Sequence, residues 1–172
     1  NSTSNPATYT IEDAVVFADP TRAGYKFTGW SISNINVGTY GEKTITANWQ
    51  IINYDITYDL NDSNSVSLAT NNGTNPSTYT IEENVTFAAP TRIGYDFTGW
   101  TLPSIAQGST GAVSTTATWE VVNYSITYDF AIAESSKSQV VDNSANTVFS
   151  YTIEDEVSFN APTRAGYTFA SW

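Results

Sequence analysis

One seven-residue motif occurs three times in this 172-residue chain, and its spacing constrains the fold more than any other feature. The copies are GYKFTGW at residues 24–30, GYDFTGW at residues 94–100 and GYTFASW at residues 166–172. They lie 70 and 72 residues apart, and the motifs around them recur in the same order. A period of this length predicts tandem copies of one small folding unit.

The repeats divide the chain into one complete unit and two partial units. The complete unit is predicted at residues 54–119, with short linkers at residues 50–53 and 120–123. Residues 1–50 form a unit that lacks its first strand, and residues 124–172 form one that lacks its last strand. These open ends indicate a fragment of a longer protein. The alternative is that neighbouring molecules complete the open sheets by strand addition.

Alternating apolar and polar residues predict the strands of each unit. In YDITYDL at residues 54–60, Tyr, Ile, Tyr and Leu alternate with polar residues, which is typical of a half-buried strand. Further strands are predicted at residues 79–81, 95–97 and 115–119, and a short helical turn is suggested at residues 65–69. The fold class is therefore mainly β, and α+β at most.

Apolar packing must stabilise these units because the chain contains no cysteine and no histidine. Disulfides and the usual zinc, copper and haem sites are thereby excluded, so we expect no cofactor and no metal. Aromatic residues make up 14% of the chain. Each large ring buries roughly 150–250 Å², so an aromatic core is expected in each unit.

The net charge of −11 argues against nucleic acid as a partner and against binding to anionic membranes. The chain has no run of about 20 apolar residues, so no membrane insertion is expected. Abundant Thr, Ser, Asn and Tyr, with few Lys and no Met, favour an extracellular protein of the bacterial cell surface.

The linkers between units are predicted to be stiff. Ile51 and Ile52 in one linker, and Val121 and Val122 in the other, are β-branched, and neither linker contains Gly or Pro. Such joints differ from flexible Gly/Ser tethers. We therefore expect a semi-rigid rod in which neighbouring repeats of the same chain are each other's first partners.

Acidic residues are the first candidates for chemistry. A pair of them follows the second strand of each copy, at Glu12/Asp13, Glu82/Glu83 and Glu154/Asp155. Paired carboxylates serve as acid and base in glycosidases, but these are adjacent in sequence, and a solvated turn is favoured. Asp59, Asn61 and Asp62 offer oxygen ligands for calcium without the twelve-residue EF-hand pattern. No catalytic residue is predicted.

Repeated arginines and tryptophans are the candidates for partner contact. Arginine recurs at the same place in all three copies, and each copy also ends its motif with tryptophan. The arginines could form a row of contacts along the rod, or each could stack on a ring or pair with the acidic turn. The tryptophans could be platforms for sugar rings or parts of the core. The candidate contact residues are Arg22, Arg92, Arg164 and Trp100.

The ordered motifs resemble the Listeria–Bacteroides repeat, the B-repeat of internalin-type surface proteins. They are Tyr-x-Ile-Thr-Tyr-x-Leu, Tyr-Thr-Ile-Glu, Pro-Thr-Arg-x-Gly-Tyr-x-Phe-x-Gly-Trp, Gly-Ser-x-Gly and Thr-Ala-x-Trp. The resemblance covers nearly all of the chain. It implies tandem β-grasp-like modules of about 70 residues, strung along bacterial cell-surface proteins as stalk or interaction repeats. The first connection, residues 61–78, is longer than the family pattern and lacks its paired glycines.

Three functions are compatible with these observations. The first is a non-enzymatic stalk or spacer in a bacterial surface protein or adhesin, which the period, the stiff linkers and the lack of a reactive cluster favour. The second is a repeat module that binds a host protein or glycan. The third is a filament subunit that self-associates by strand addition.

Overall fold

A computed structural model describes residues 4–63, 65–131 and 141–172. Within these ranges the chain forms β-strands and no helix, which confirms the mainly β prediction. The strands are β1 (Val15–Val16), β2 (Tyr25–Trp30), β3 (Asn34–Ile35), β4 (Ala47–Ile51), β5 (Tyr54–Asp59), β6 (Ala69–Thr70), β7 (Thr78–Tyr79), β8 (Val85–Thr86), β9 (Thr91–Arg92), β10 (Tyr95–Trp100), β11 (Ser104–Ile105), β12 (Val113–Val121), β13 (Tyr124–Ser125), β14 (Val141–Asp142), β15 (Ser150–Tyr151) and β16 (Thr163–Arg164).

The helical turn suggested at residues 65–69 is wrong. The segment ends in β6, which pairs antiparallel with β9, Ala69 opposite Arg92 and Thr70 opposite Thr91. The carboxylate of Asp62 accepts a hydrogen bond from the amide of Ala69, at 2.6 Å. Tertiary pairing thus overrides a weak local preference for helix.

The middle repeat contains a four-stranded sheet in the order β10, β12, β5, β7. β5 is the first long strand of the repeat along the chain and β12 is the last. The two lie side by side and parallel, with Val113 opposite Ile56 and Thr116 opposite Asp59. β10 pairs antiparallel with β12, and β7 pairs antiparallel with β5. The two ends of one repeat are therefore the central strands of its sheet. The β-grasp-like arrangement of the modules and the rod remain predictions.

Aromatic rings fill one face of this sheet, as expected for a unit without disulfides. Tyr79 is 1% exposed, and its hydroxyl donates to the carbonyl oxygen of Gly111 at 2.7 Å. The ring of Tyr58 packs edge-on against Phe87 and Trp100, with centroids 5.3 and 5.5 Å apart. Full burial of a large apolar side chain contributes roughly 1.5–3 kcal/mol, so these contacts are the main source of stability.

A kink in β10 turns Trp100 into this core. The register with β12 shifts between Phe97 and Gly99, and Gly99 has φ of 154°. A glycine beside a large ring commonly marks such a bend or a close approach of the backbone. The equivalent strand of the first repeat, β2, has the same register shift between Phe27 and Gly29.

An asparagine clamp recurs in all three repeats and was not foreseen from the sequence. Asn75 donates through Nδ2 to the carbonyl of Ala88 at 3.0 Å, and its Oδ1 accepts from the Ala88 amide at 2.7 Å. Asn5 makes the same two bonds with Ala18, and Asn146 makes them with Asn160. A side-chain amide paired with one backbone residue mimics a strand pair, because it offers both a donor and an acceptor.

Candidate functional site

The boundary between repeats is the most clearly built site in the chain. Two residues separate β4 from β5, and two separate β12 from β13. The amide of Ile52 donates to the carbonyl of Gly24 at 2.9 Å, and the amide of Val122 donates to that of Gly94 at 2.9 Å. Each linker is therefore hydrogen-bonded to a turn of the repeat that precedes it.

Across each boundary an isoleucine of one repeat lies directly against a glycine of the repeat before it. A Cβ atom built on Gly24 would lie 2.5 Å from Cβ of Ile81, and one built on Gly94 would lie 2.8 Å from Cβ of Ile153. Both glycines also have positive φ, 74° and 78°. Glycine is required at these positions for its backbone conformation and for the close approach.

A hydrogen bond between side chains crosses each boundary beside this contact. The hydroxyl of Tyr25 donates to the carboxylate of Glu82, and the hydroxyl of Tyr95 donates to that of Glu154. Hydrogen bonds to a charged acceptor are about twice as strong as neutral ones. The bond to Glu82, followed by desolvation, raises the pKa of Tyr25, while the positive charge of Arg22 acts in the opposite sense.

Each repeated arginine stacks on the tyrosine three residues later, and for Arg22 and Arg92 that tyrosine belongs to a joint. The guanidinium carbon of Arg22 is 3.5 Å from the ring centroid of Tyr25, and that of Arg92 is 3.7 Å from Tyr95. Arg164 stacks in the same way, 4.0 Å from the ring centroid of Tyr167. The structure therefore places all three arginines in the stacked arrangement that the sequence left as one of two alternatives. Their contact with another molecule remains a prediction.

Arg92 is also held by its own repeat. Its Nε donates to the carbonyl of Ser67 at 3.1 Å, and its Nη2 donates to the hydroxyl of Ser65. Trp100 is 8% exposed, and its ring nitrogen donates to the carbonyl of Ala88 at 3.1 Å. Burial leaves little of the Trp100 ring for a sugar.

The two acids of each pair have different tasks. The second acid closes the turn, because its carboxylate accepts from the amide three residues earlier: Asp13 from Thr10 at 2.6 Å and Asp155 from Thr152 at 2.7 Å. These bonds hold the pKa values of Asp13 and Asp155 below the ordinary range. The first acid, at Glu82 and Glu154, is the joint acceptor described above. The predicted solvated turn is confirmed.

Within residues 4–63, 65–131 and 141–172, no group of three or more His, Cys, Asp or Glu residues could hold a metal ion. Asp59, one of the calcium candidates, accepts a hydrogen bond from the amide of Asn61 at 2.9 Å. In the same ranges, no helix is long and apolar enough to cross a membrane.

The outer repeats each carry one half of the joint without a neighbour against it. Ile11, the equivalent of Ile81 and Ile153, is 57% exposed. Tyr167 is 60% exposed, and nothing lies within 4 Å of a Cβ built on Gly166. The joint residues could have been found from the sequence, because Gly-Tyr and Ile-Glu are the same in every copy.

A family model describes most of this chain. The Listeria-Bacteroides repeat domain matches residues 1–51 and 54–127, and the two matches meet at the first joint. Searches of curated proteins and of solved structures gave no match. Repeats of this family are associated with bacterial surface proteins. On the strength of its ordered motifs and of a match that covers well over half of its length, the chain belongs to the Listeria–Bacteroides repeat domain family.

Proposed function

We propose that this chain is a non-enzymatic, extracellular spacer in a bacterial surface protein or adhesin, and that it holds another domain away from the cell. The observation that carries this proposal is the joint. The same glycine–isoleucine contact and the same Tyr–Glu hydrogen bond occur at two successive boundaries. A repeated joint transmits one fixed orientation from repeat to repeat, which is the property that a stalk needs.

A small joint is sufficient because the repeats are covalently linked. One isoleucine on one glycine and one hydrogen bond would give only a weak complex between separate molecules. A short linker raises the effective concentration of the two faces to about the millimolar range or higher. With only two residues outside the strands, each joint is expected to stay closed nearly all the time.

The arrangement of reactive side chains supports a structural role. Histidine and cysteine are absent from the sequence, and the paired acids close turns or accept the joint hydrogen bond. Apart from Tyr95, the aromatic residues of the middle repeat pack into its core. The site therefore offers rigidity rather than an acid–base pair or a nucleophile.

Small-angle X-ray scattering of the chain tests the spacer. We expect the distance distribution of an elongated particle, with separate features at the spacing of successive repeats. A compact globule, or a profile that fits only freely jointed beads, would contradict the proposal.

Binding of a host protein or glycan is the second candidate, and one feature of the complete repeat supports it. Val66, Leu68 and Ile93 are 70%, 76% and 79% exposed, and Leu68 and Ile93 directly flank the paired residues Ala69 and Arg92 at the same end of the β6–β9 pair. Isolated apolar side chains are normal on surfaces, whereas adjacent ones are typical of contact sites. The test is a pull-down or glycan array with L68S and I93A, with R92A as a separate arm. Equal retention by all variants would remove this candidate.

A further inference from the structure

An exposed aliphatic cluster lies beside the second joint, and the neighbouring repeat does not cover it. The cluster consists of Val66, Leu68 and Ile93, which are 70%, 76% and 79% exposed. Ile93 directly precedes Gly94, and a Cβ atom built on Gly94 would lie 2.8 Å from Cβ of Ile153 in the third repeat. The aliphatic cluster is therefore open to solvent although the joint beside it is closed.

Alternation along the chain turns these side chains outward. Within residues 65–70, every second residue is exposed, and the residues between them are half-buried. The half-buried side is polar, because Arg92 donates from Nε to the carbonyl of Ser67 at 3.1 Å and from Nη2 to the hydroxyl of Ser65. Contacts on the inner side thus hold the segment in place and leave its aliphatic side facing solvent.

The aliphatic cluster is particular to the middle repeat. The residue between the repeated Arg and Gly is Ile93 here, whereas the equivalent residues in the other two copies are Ala23 and Ala165. The turn therefore accepts alanine, and its geometry does not require isoleucine. An isoleucine that stays exposed contributes little to the stability of the repeat, and adjacent exposed aliphatic side chains are typical of contact sites. These side chains are better explained by contact with a partner than by folding.

Negative charge borders the aliphatic cluster on two sides. The carboxylate of Asp62 accepts from the amide of Ala69 at 2.6 Å, which places it beside the backbone of the exposed segment. On the side of the joint, the hydroxyl of Ser65 lies 3.4 Å from the hydroxyl of Tyr95, which in turn donates to the carboxylate of Glu154. Each of the two repeats therefore supplies one carboxylate to the border of the cluster.

The one positive charge in this region lies on the inner side of the segment. Arg92 is the only basic residue of the complete repeat, residues 54–119. Its guanidinium carbon stacks 3.7 Å from the ring centroid of Tyr95, and its Nη1 donates to the carbonyl of Asn61 at 3.4 Å. The outer surface of the segment is therefore aliphatic and acidic.

These properties favour one kind of occupant over two others. A second copy of the chain also carries a net charge of −11, so charge repulsion opposes self-association at this surface. A sugar ring would stack on an exposed aromatic face, whereas Trp100 is 8% exposed and Arg92 covers the ring of Tyr95. Charge complementarity instead favours a partner that combines aliphatic and basic side chains.

We propose that the aliphatic cluster, with Asp62 and Glu154 at its borders, binds a basic amphipathic segment of another protein. The aliphatic side chains of that segment would cover the cluster, and its lysines or arginines would face the two carboxylates. Apolar burial supplies affinity, and opposite charges increase the association rate and select the partner. The site deepens the second candidate function, on which it rests, and it is independent of the spacer function.

The site is complete only when the second joint is closed. Glu154 belongs to the third repeat, whereas the aliphatic side chains and Asp62 belong to the middle repeat. A partner that binds only the complete site stabilises the closed joint by mass action. Amide exchange at Ile153 and Glu154 is therefore expected to slow when the site is occupied.

The test is an NMR titration of the whole chain with a short synthetic peptide in which leucine and lysine alternate. Shift changes are expected to centre on Leu68 and Ile93 and to extend to Glu154. A peptide with glutamate in place of lysine should not bind, and one with serine in place of leucine should bind about tenfold more weakly or worse. Raising the salt from about 0.02 M to about 0.15 M should weaken binding of the lysine peptide, because the charges are screened.

Variants of the chain provide matched controls. I93A introduces the alanine of the other two repeats, so it should fold, and it should weaken binding by about fivefold or more. E154Q keeps an acceptor for the hydroxyl of Tyr95 but removes the charge, so it should weaken binding by about twofold. E82Q makes the same change at the first joint, where Ala23 stands in place of the isoleucine, and should have no effect.

Three outcomes would overturn the proposal. Equal binding of the glutamate peptide would exclude a basic partner, while the pull-down of host proteins would still decide the second candidate function separately. Unchanged affinity in I93A, or equal weakening by E154Q and E82Q, would mean that the peptide binds elsewhere on the acidic surface. The signals of Ile153 report whether the joint stays closed in E154Q, and should it open, I93A and the salt dependence still decide.

Discussion

Ile81 of the middle repeat lies directly against Gly24 of the first repeat, and Ile153 of the third repeat lies against Gly94 in the same way. The two boundaries are built from different residues of one chain and still have the same contact, the same positive φ and the same Tyr–Glu hydrogen bond. The joint is therefore a property of the repeat itself. Its free halves in the outer repeats provide matched controls within the same molecule.

Substitution of Gly94 by alanine should disrupt the second joint. The new Cβ would approach Ile153 to 2.8 Å, in addition to the strain of about 1–3 kcal/mol for a non-glycine residue at positive φ. G166A is the control, because Gly166 has φ of 77° but no neighbour within 4 Å of its Cβ position. We expect NMR shift changes that extend to Ile153 in G94A alone. If G166A changed the Ile153 signals as much as G94A does, the change would not report a contact between Gly94 and Ile153, and the described joint would be contradicted.

The first joint should weaken at alkaline pH. Because the pKa of Tyr25 is raised in the folded chain, its contribution to joint stability is complete below the ordinary tyrosine value of about 10. The contribution is lost as the pH rises through the higher folded value, since the phenolate can no longer donate to Glu82. NMR signals of Ile81 and Glu82, followed from pH 8 upward, should report this transition.

Y25F should remove that alkaline transition, and Y167F should leave it unchanged. Among the residues that the structure describes, the Tyr167 hydroxyl has no hydrogen-bond acceptor, although its ring stacks with Arg164 like that of Tyr25 with Arg22. An alkaline transition of equal size in Y25F would show that another group is responsible.

The acidic turns should weaken at low pH. Hydrogen bonds from the Thr152 backbone and side chain lower the pKa of Asp155 in the folded chain. The contribution of Asp155 to stability is therefore complete above the ordinary aspartate pKa of about 3.9, and it is lost as the pH falls through the lower pKa of the folded chain. Carboxyl NMR titration should show this depressed pKa. T152V removes the hydroxyl donor, so it should move the pKa of Asp155 part of the way back. No change in T152V would contradict the described turn.

Loss of the asparagine clamp should destabilise the middle repeat. N75A removes both bonds to Ala88 and leaves the Ala88 amide without a partner, at a cost of about 1–3 kcal/mol, while Trp100 Nε1 still donates to the Ala88 carbonyl. N75D keeps the acceptor but places a carboxylate against the Ala88 carbonyl, so it should cost at least as much. Urea unfolding followed by tryptophan fluorescence measures both. If the free energy of unfolding of N75A were within about 0.5 kcal/mol of the parent value, the clamp would contribute little to stability.

Local patterns in the sequence predict the strands well. The alternation at residues 54–60 corresponds to β5, and the predicted strand at residues 115–119 lies within β12. The kink at Gly99 also follows from a local rule, because glycine beside a large ring marks a bend or a close approach. In each case the physical cause lies within a few residues along the chain.

Features that depend on distant pairs were not predicted. Tyr25 and Glu82 are 57 residues apart, and each had a sufficient local explanation, Tyr25 as a strand residue and Glu82 as part of a turn. The parallel pairing of β5 with β12 likewise joins the two ends of a repeat, and no short-range pattern encodes it. The identity of these residues in every copy is the signal that could have revealed them.

The distance between spin labels in neighbouring repeats tests the central claim, that repeats are joined without slack. Because the chain has no cysteine, labels at K26C and D96C, which are exposed equivalents on β2 and β10, report the first joint alone. We predict a single narrow distance distribution, which broadens in G24A and stays narrow in G166A. A broad distribution in the parent chain, unchanged by G24A, would contradict the account.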